Sequence, residues 1–89
     1  MKEIWVFNGE GANFPAGIFT SLTEAKTWIE KHQLSGVLTR YPVNTGVYDW
    51  AIANDLFTAK QTWHTKPAFI ESFTCASMEH YHFEAGQQQ

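Results

Sequence analysis

The chain has 89 residues, with nine acidic and six basic side chains and a net charge of −3. This length allows one folded core, so we predict a single domain over residues 1–86, followed by a disordered tail at 87–89. The basic residues form no positive stripe and no apolar run reaches about 18 residues, so neither a nucleic-acid partner nor a membrane is expected.

The first part of the chain predicts three strands. The stretch EIWVF is apolar on both alternating faces, which is typical of a central strand covered on both sides. The turn residues NGEGAN follow, and FPAGIFT then predicts a second strand, which Pro15 and Gly17 favour at a sheet edge. VLTRY predicts a third strand beside the first, which gives the local order 2-1-3.

Between the second and third strands, SLTE predicts the start of a helix with a capping box. Ser21 is the expected N-cap, and Glu24 lies at the third helical position. Gly36 is the expected left-handed residue that ends this helix. The apolar residues of the helix share one face: Leu22, Ala25 and Ile29. The core is expected to include six residues: Ile4, Val6, Leu22, Ile29, Val37 and Leu38.

The second part of the chain predicts two short helices and a last strand. VNTGVYDWAIAND is expected to form a helix capped by Asn44 or Thr45, and TAKQTWHTKP is expected to form a loop. KPAFIESF favours a helix with Pro67 in its first turn, with a strand over Ala68–Phe73 as the alternative. SMEHYHFE predicts the last strand. The fold class is therefore α+β, with a mostly antiparallel sheet of about four strands (β-β-α-β-α-α-β) and helices packed on it.

The last strand raises the question of a metal site. His80, His82 and Glu84 alternate, so they share one face of an extended strand. Two imidazoles and a carboxylate could bind a metal ion, but the other His and Cys residues show no ligand spacing to this strand. We interpret the three residues as the solvated face of the strand, with metal binding and a role in partner contact as the alternatives. No cofactor is expected.

No catalytic residues are predicted. The loop GEGANF lacks the third glycine of a dinucleotide-binding loop and precedes a strand rather than a helix. Cys75 is the only cysteine, so no intrachain disulfide can form, and such a lone residue is typical of a small buried side chain in a reducing compartment. The N-terminus MKEIWVFNGEG lacks the apolar segment of a signal peptide. We therefore expect a cytoplasmic protein, and the sequence favours a function other than catalysis without deciding it.

The stretch YDWAIANDLF carries more apolar side chains than a helix of two turns can bury on one side. Val47, Trp50 and Ala51 fill the inward stripe, so Tyr48 is expected to be exposed beside Asp49. Exposed aromatic residues next to an acid are suited to binding a basic protein partner. The predicted partner-binding residues are Tyr48, Asp49, Trp50 and Trp63. Core packing and a homo-oligomer are the alternatives.

Four stretches together resemble a family of small stand-alone bacterial proteins classed as a domain of unknown function: WVFNGEGANFPAGIF, EAKTWIEKHQLSGVLTRYP, GVYDWAIANDLF and EHYHFEAG. The resemblance runs from Trp5 to Gly86. It implies a bacterial, cytosolic setting and transfers no catalytic or ligand-binding residue.

Small size, acidity, surplus aromatic residues and the lack of a catalytic set favour a cytosolic protein-binding module. Its most concrete form is an immunity-type inhibitor that neutralises a partner protein by covering its surface. The alternative is a metal-binding protein, or a small metal-dependent enzyme, that uses His80 and His82.

Overall fold

The computed structural model describes residues 3–89, so the first two residues of the predicted domain lie outside the described chain. The described chain groups into two compact units. Unit 1 comprises residues 3–43 together with Met78–Gln89, and unit 2 comprises Asn44–Ser77.

The helices and strands follow one another in the order β1 (Glu3–Gly9), β2 (Pro15–Phe19), α1 (Leu22–His32), β3 (Gly36–Pro42), α2 (Val47–Ala53), the 3-10 helix η1 (Thr62–Thr65), α3 (Pro67–Glu71), β4 (His80–Glu84) and β5 (Gln87–Gln88). The five strands form one antiparallel sheet in unit 1, in the order β2-β1-β3-β4-β5. The predicted α+β class is confirmed, as are the central position of β1 and the edge position of β2.

Helix α1 begins where the capping pattern predicts and ends earlier than expected. The Ser21 hydroxyl accepts a hydrogen bond from the Glu24 amide at 3.3 Å, so Ser21 is the N-cap. Gln33 adopts the left-handed conformation (φ 55°) that ends the helix. The prediction of Gly36 as terminator is therefore wrong, because the left-handed turn closes three residues earlier and Gly36 is already the first residue of β3.

The core of unit 1 lies between α1 and one face of the sheet. Its buried residues are Trp5, Phe7, Ala25, Ile29, Leu38 and Phe83. Among the predicted core residues, Ile29 and Leu38 are fully buried and Leu22 is half-buried. The other three, on the opposite face, are only half-buried: Ile4, Val6 and Val37. The apolar residues on both faces of β1 predicted that the two faces are equally covered, whereas α1 fully buries only the face that carries Trp5 and Phe7.

Close approach of β1 and β3 depends on a glycine. A Cβ atom at Gly36 would overlap the carbonyl oxygen of Asn8 and would lie 2.8 Å from the Phe7 ring and 2.9 Å from the Gly9 Cα atom. Only a residue without a side chain therefore fits at the start of β3.

The predicted tail is ordered as a hairpin in the structure. Ala85 and Gly86 both have positive φ (49° and 85°) and form a two-residue turn between Glu84 and Gln87, which pair across β4 and β5. Positive φ at both positions is characteristic of tight hairpin turns. The Gly86 amide also donates to the Leu34 carbonyl at 2.8 Å. The sheet therefore has a fifth strand where disorder was expected.

Unit 2 departs from the predictions mainly in its caps and loop. Gly46 is the N-cap of α2 and no side chain caps it, so the predicted caps Asn44 and Thr45 are wrong. Part of the predicted loop forms η1. Helix α3 confirms the helical prediction with Pro67 in its first turn, and the alternative strand is wrong.

Candidate functional site

The aromatic cluster of unit 2 consists of side chains from α2, the segment after it, η1, α3 and the residues that follow α3: Tyr48, Phe57, Trp63, His64, Phe69 and Phe73. The Tyr48 ring centroid lies 6.0 Å from that of Phe57 and 5.6 Å from that of Phe73. Most of the rings meet edge-on or tilted, which is the favoured geometry for aromatic pairs. This cluster holds together short helices that could not form stably alone.

The side chains of unit 2 are buried only in part. Ala51 is the one buried residue in unit 2, and the cluster side chains other than Trp63 are half-buried. Trp63 is 55% exposed and Leu56 is 45% exposed, and Ile52 and Ile70 are exposed as well. Unit 2 therefore presents large apolar side chains to its surroundings.

The predicted partner-binding residues fall into different environments. Asp49 and Trp63 are exposed, and Trp50 is half-buried. The expectation that Tyr48 is exposed is wrong, because Phe57, Phe69 and Phe73 pack against its ring. These partners come from segments up to 25 positions further along the chain, and helix periodicity cannot predict contacts with such distant residues.

His64 caps η1 through a single ring atom. Its Nδ1 accepts hydrogen bonds from the backbone amides of Lys60 at 3.0 Å and Gln61 at 3.1 Å. An atom that accepts two N–H donors carries no proton, so the neutral ring is protonated on Nε2. Sequence reasoning missed this role because it placed the whole segment in a loop.

The two histidines of β4 lie side by side. The His80 and His82 ring centroids are 5.3 Å apart, and cross-strand pairing places both residues on the face that also carries Thr39 and Val37. His80 Nδ1 lies 2.7 Å from the Met78 carbonyl oxygen, so it donates to that oxygen. Within residues 3–89, no group of three or more His, Cys, Asp or Glu side chains could hold a metal ion.

A pocket of about 500 Å³ lies in unit 1 between the β1–β2 turn and the end of β4. It brings His82 and Glu84 together with Glu10, an acidic residue that the sequence did not single out, and it does not include His80. The three predicted metal candidates are therefore divided: two line the pocket and one does not. Carboxylates, an imidazole and amide groups line the pocket beside the apolar side chains of Val37 and Phe83, a mixture that suits small ligands.

A charged network joins three strands on the helix-covered side of the sheet. Arg40 forms salt bridges with Glu3 and with Glu79, the latter at 3.2 Å. The Tyr81 hydroxyl donates to the Glu79 carboxylate. This hydroxyl and the Arg40 guanidinium hold the pKa of the Glu79 carboxyl below its ordinary value, and the carboxylate raises the pKa of Tyr81.

The ring of Tyr81 also contacts residues of β1 and α1. It stacks on Trp5 at 5.9 Å between centroids, and the Lys26 ammonium lies 4.7 Å from its centroid. Such contacts connect α1, β1 and β4, and they give the network a structural role in unit 1. The alternation of Glu79, directly before β4, and Tyr81 in β4 was visible in the sequence, but the pairing of Glu79 with Arg40 depends on the register of β3.

The fold defines a class of small α+β protein: an antiparallel sheet covered by one helix, in the same chain as a unit of short helices whose aromatic cluster is half-buried apart from Trp63. The chain belongs to the family described as "Domain of unknown function (DUF7710)", whose sequence model matches residues 4–89. Neither the curated proteins nor the solved structures include a match to the chain. Across residues 3–89, no helix is long and apolar enough to cross a membrane.

Proposed function

We propose that this protein is a protein-binding module that recognises its partner through the aromatic surface of unit 2. The observation that supports this most strongly is that unit 2 contains many large apolar side chains but buries very few residues. Of the 34 residues in Asn44–Ser77, Ala51 alone is buried, while Trp63 and Leu56 are 55% and 45% exposed. Exposed apolar surface is typical of protein interfaces, and the residues that contribute most to binding are enriched in tryptophan, tyrosine and arginine.

Charge supports a partner with basic residues. Asp49 is exposed in the first turn of α2, and no salt bridge involves it among residues 3–89. The whole chain carries a net charge of −3. A partner surface with an apolar centre flanked by lysine or arginine would complement both features, and charge complementarity raises association rates and favours the correct partner.

The more specific form of the proposal is an immunity-type inhibitor in the bacterial cytoplasm. It is supported by small size, acidity and the lack of a catalytic set in the sequence. An inhibitor of this kind needs no chemistry of its own, because covering a functional surface is sufficient. We therefore expect the partner to lose activity when it is bound.

Matched variants test the surface. After capture and purification of the partner, its affinity is measured by titration calorimetry against Asp49→Lys and Trp63→Ala. We expect each to weaken binding by roughly 10-fold or more, because each alters the proposed centre of the interface. Glu10→Lys repeats the charge reversal on unit 1, and Phe14→Ala removes an exposed aromatic residue of unit 1. These two controls should stay within about twofold of the wild type.

Thermal melts of the same four variants separate binding from folding. Asp49 and Trp63 are exposed, so their substitution should leave the melting temperature nearly unchanged. If Glu10→Lys or Phe14→Ala weakens binding and the unit 2 variants do not, the recognition surface lies on unit 1 and the proposal is wrong.

A further inference from the structure

His64 occupies an unusual position in the aromatic cluster, because the same ring serves as a cap and as a packing surface. Its Nδ1 accepts the Lys60 and Gln61 amides, and its ring centroid lies 4.2 Å from that of Trp63 and 4.9 Å from that of Phe69. The backbone of η1 is closed by the His64 amide, which donates to the Gln61 carbonyl at 3.0 Å. The position of the exposed Trp63 side chain therefore depends on where the imidazole sits.

The other hydrogen bonds of η1 are short-range. The Lys66 amide donates to the Trp63 carbonyl at 3.2 Å, the Thr65 hydroxyl donates to the Thr62 carbonyl at 3.1 Å, and the Gln61 side chain accepts from the His64 amide. This 3-10 helix has four residues and contains no buried side chain. Short 3-10 helices have poor hydrogen-bond geometry and contribute little stability of their own. The two hydrogen bonds to Nδ1 and the ring contacts of His64 are therefore a large share of what orders this segment.

We propose that His64 is a pH-sensitive cap, which holds η1 and Trp63 in place while the imidazole is neutral and releases them when it is protonated. Protonation adds a hydrogen to Nδ1, which then faces two N–H donors instead of accepting from them. Both hydrogen bonds are lost and three donors point at one another. The ring must leave the cap, and its contacts with Trp63 and Phe69 change as it moves.

The charges around His64 offer the protonated ring little compensation. The segments packed against it carry Lys60 before η1, Lys66 after it, Asp55 before Phe57 and Glu71 in α3. Neither salt bridge between residues 3 and 89 involves His64, so no carboxylate lies within 4.0 Å of its nitrogens. The polar groups that face Nδ1 are therefore the two uncharged backbone donors. Imidazoles are the side chains that change charge between about pH 5 and 8.

The number of protons bound on release determines how steeply the release equilibrium depends on pH. One proton separates the capped from the released state, so the equilibrium constant for release should rise about tenfold for each unit that pH falls below the pKa of an unrestrained imidazole. The cap is a property of unit 2 alone and does not require a partner. Its consequence, weaker partner binding on acidification, rests on the proposed function.

Nuclear magnetic resonance on the free protein tests the cap directly. Hydrogen-exchange protection factors of the Lys60 and Gln61 amides are measured from pH 8 to pH 5, together with the ring nitrogens of His64 and the indole N–H of Trp63. We expect the Nε2–H tautomer at high pH. As pH falls toward the midpoint at which half of His64 is protonated, both protection factors should fall by up to tenfold per pH unit. They should be lost at that midpoint, where the Trp63 signal should also be half shifted.

Two variants complete the experiment. His64→Gln keeps an acceptor that does not titrate, so its protection factors should not change over this range, whereas His82→Gln, which alters a histidine of unit 1, should reproduce the wild-type profile. The wild-type protein alone can overturn the proposal: constant protection of Lys60 and Gln61 while His64 titrates, or an Nδ1–H tautomer at high pH, would show that Nδ1 is not the cap. Because no partner is used, failure here leaves the proposed function untouched.

Discussion

Two isoleucines provide a matched test of how unit 1 is packed. Ile29 lies in α1 and is 0% exposed, whereas Ile18 lies in the edge strand β2 and is 63% exposed. Replacing each by alanine removes the same atoms from very different environments. The difference between the two variants therefore measures burial at the interface of helix and sheet.

The magnitude follows from the atoms removed. Ile29→Ala deletes three buried carbons, which at about 0.8 kcal/mol each gives a transfer loss of about 2.4 kcal/mol. Ile29 packs in a cluster with Phe7 and Leu38, whose large side chains cannot fully close the cavity that is left. The cavity adds about 1 kcal/mol, so we expect a loss of about 3–4 kcal/mol in the free energy of unfolding. Ile18→Ala should cost less than about 1 kcal/mol.

Urea-induced unfolding followed by circular dichroism gives both values under one set of conditions. The slope of the unfolding free energy against urea should be similar for both variants, so that the midpoints report stability. If Ile29→Ala lies within about 1 kcal/mol of Ile18→Ala, α1 does not pack on the sheet through this face and the description of the core is wrong.

Three further results are expected. Gly36→Ala should abolish the cooperative unfolding transition in circular dichroism, because its Cβ would overlap the Asn8 carbonyl; a variant as stable as the wild type would refute the close approach of β1 and β3. The lowered pKa of Glu79 means that its contribution to stability is present above its ordinary value of 4.5 and is lost as pH falls through the lowered value. Glu79→Gln should therefore reduce how steeply the melting temperature falls with decreasing pH between about pH 2 and 6. A pH dependence equal to that of the wild type would contradict the network. Elemental analysis after dialysis should find no stoichiometric metal, and metal that disappears in a His80→Ala, His82→Ala double variant would establish the metal-binding alternative.

Local patterns in the sequence predicted much of the sheet and of α1. Ser21 predicted the start of α1 because its hydroxyl accepts a hydrogen bond from a first-turn backbone amide that has no partner within the helix. Pro15 indicated an edge strand because it lacks the N–H that a central strand needs. Both effects act over a few residues, so they can be recognised in a single sequence.

Features that depend on distant partners were missed. Gln33 takes the left-handed position that a glycine was expected to fill, while Gly36 serves the approach of β1 and β3. Ala85 and Gly86 form a tight turn whose amides bond to the segment between α1 and β3, so the end of the chain is ordered by residues about 50 positions away. For the candidate site, Asp49 was proposed from its place on the predicted helix, whereas the cap formed by His64 required the geometry of η1.

Site-specific photo-crosslinking tests the role of the unit 2 surface most directly. A benzophenone amino acid is placed at position 63 in unit 2 or at position 14, which is 78% exposed in unit 1, and crosslinks are formed in cells that naturally make the protein. We predict one dominant crosslinked partner from position 63, which disappears when Asp49→Lys is added, and none from position 14. A partner crosslinked from position 14 and not from position 63 would contradict recognition through unit 2.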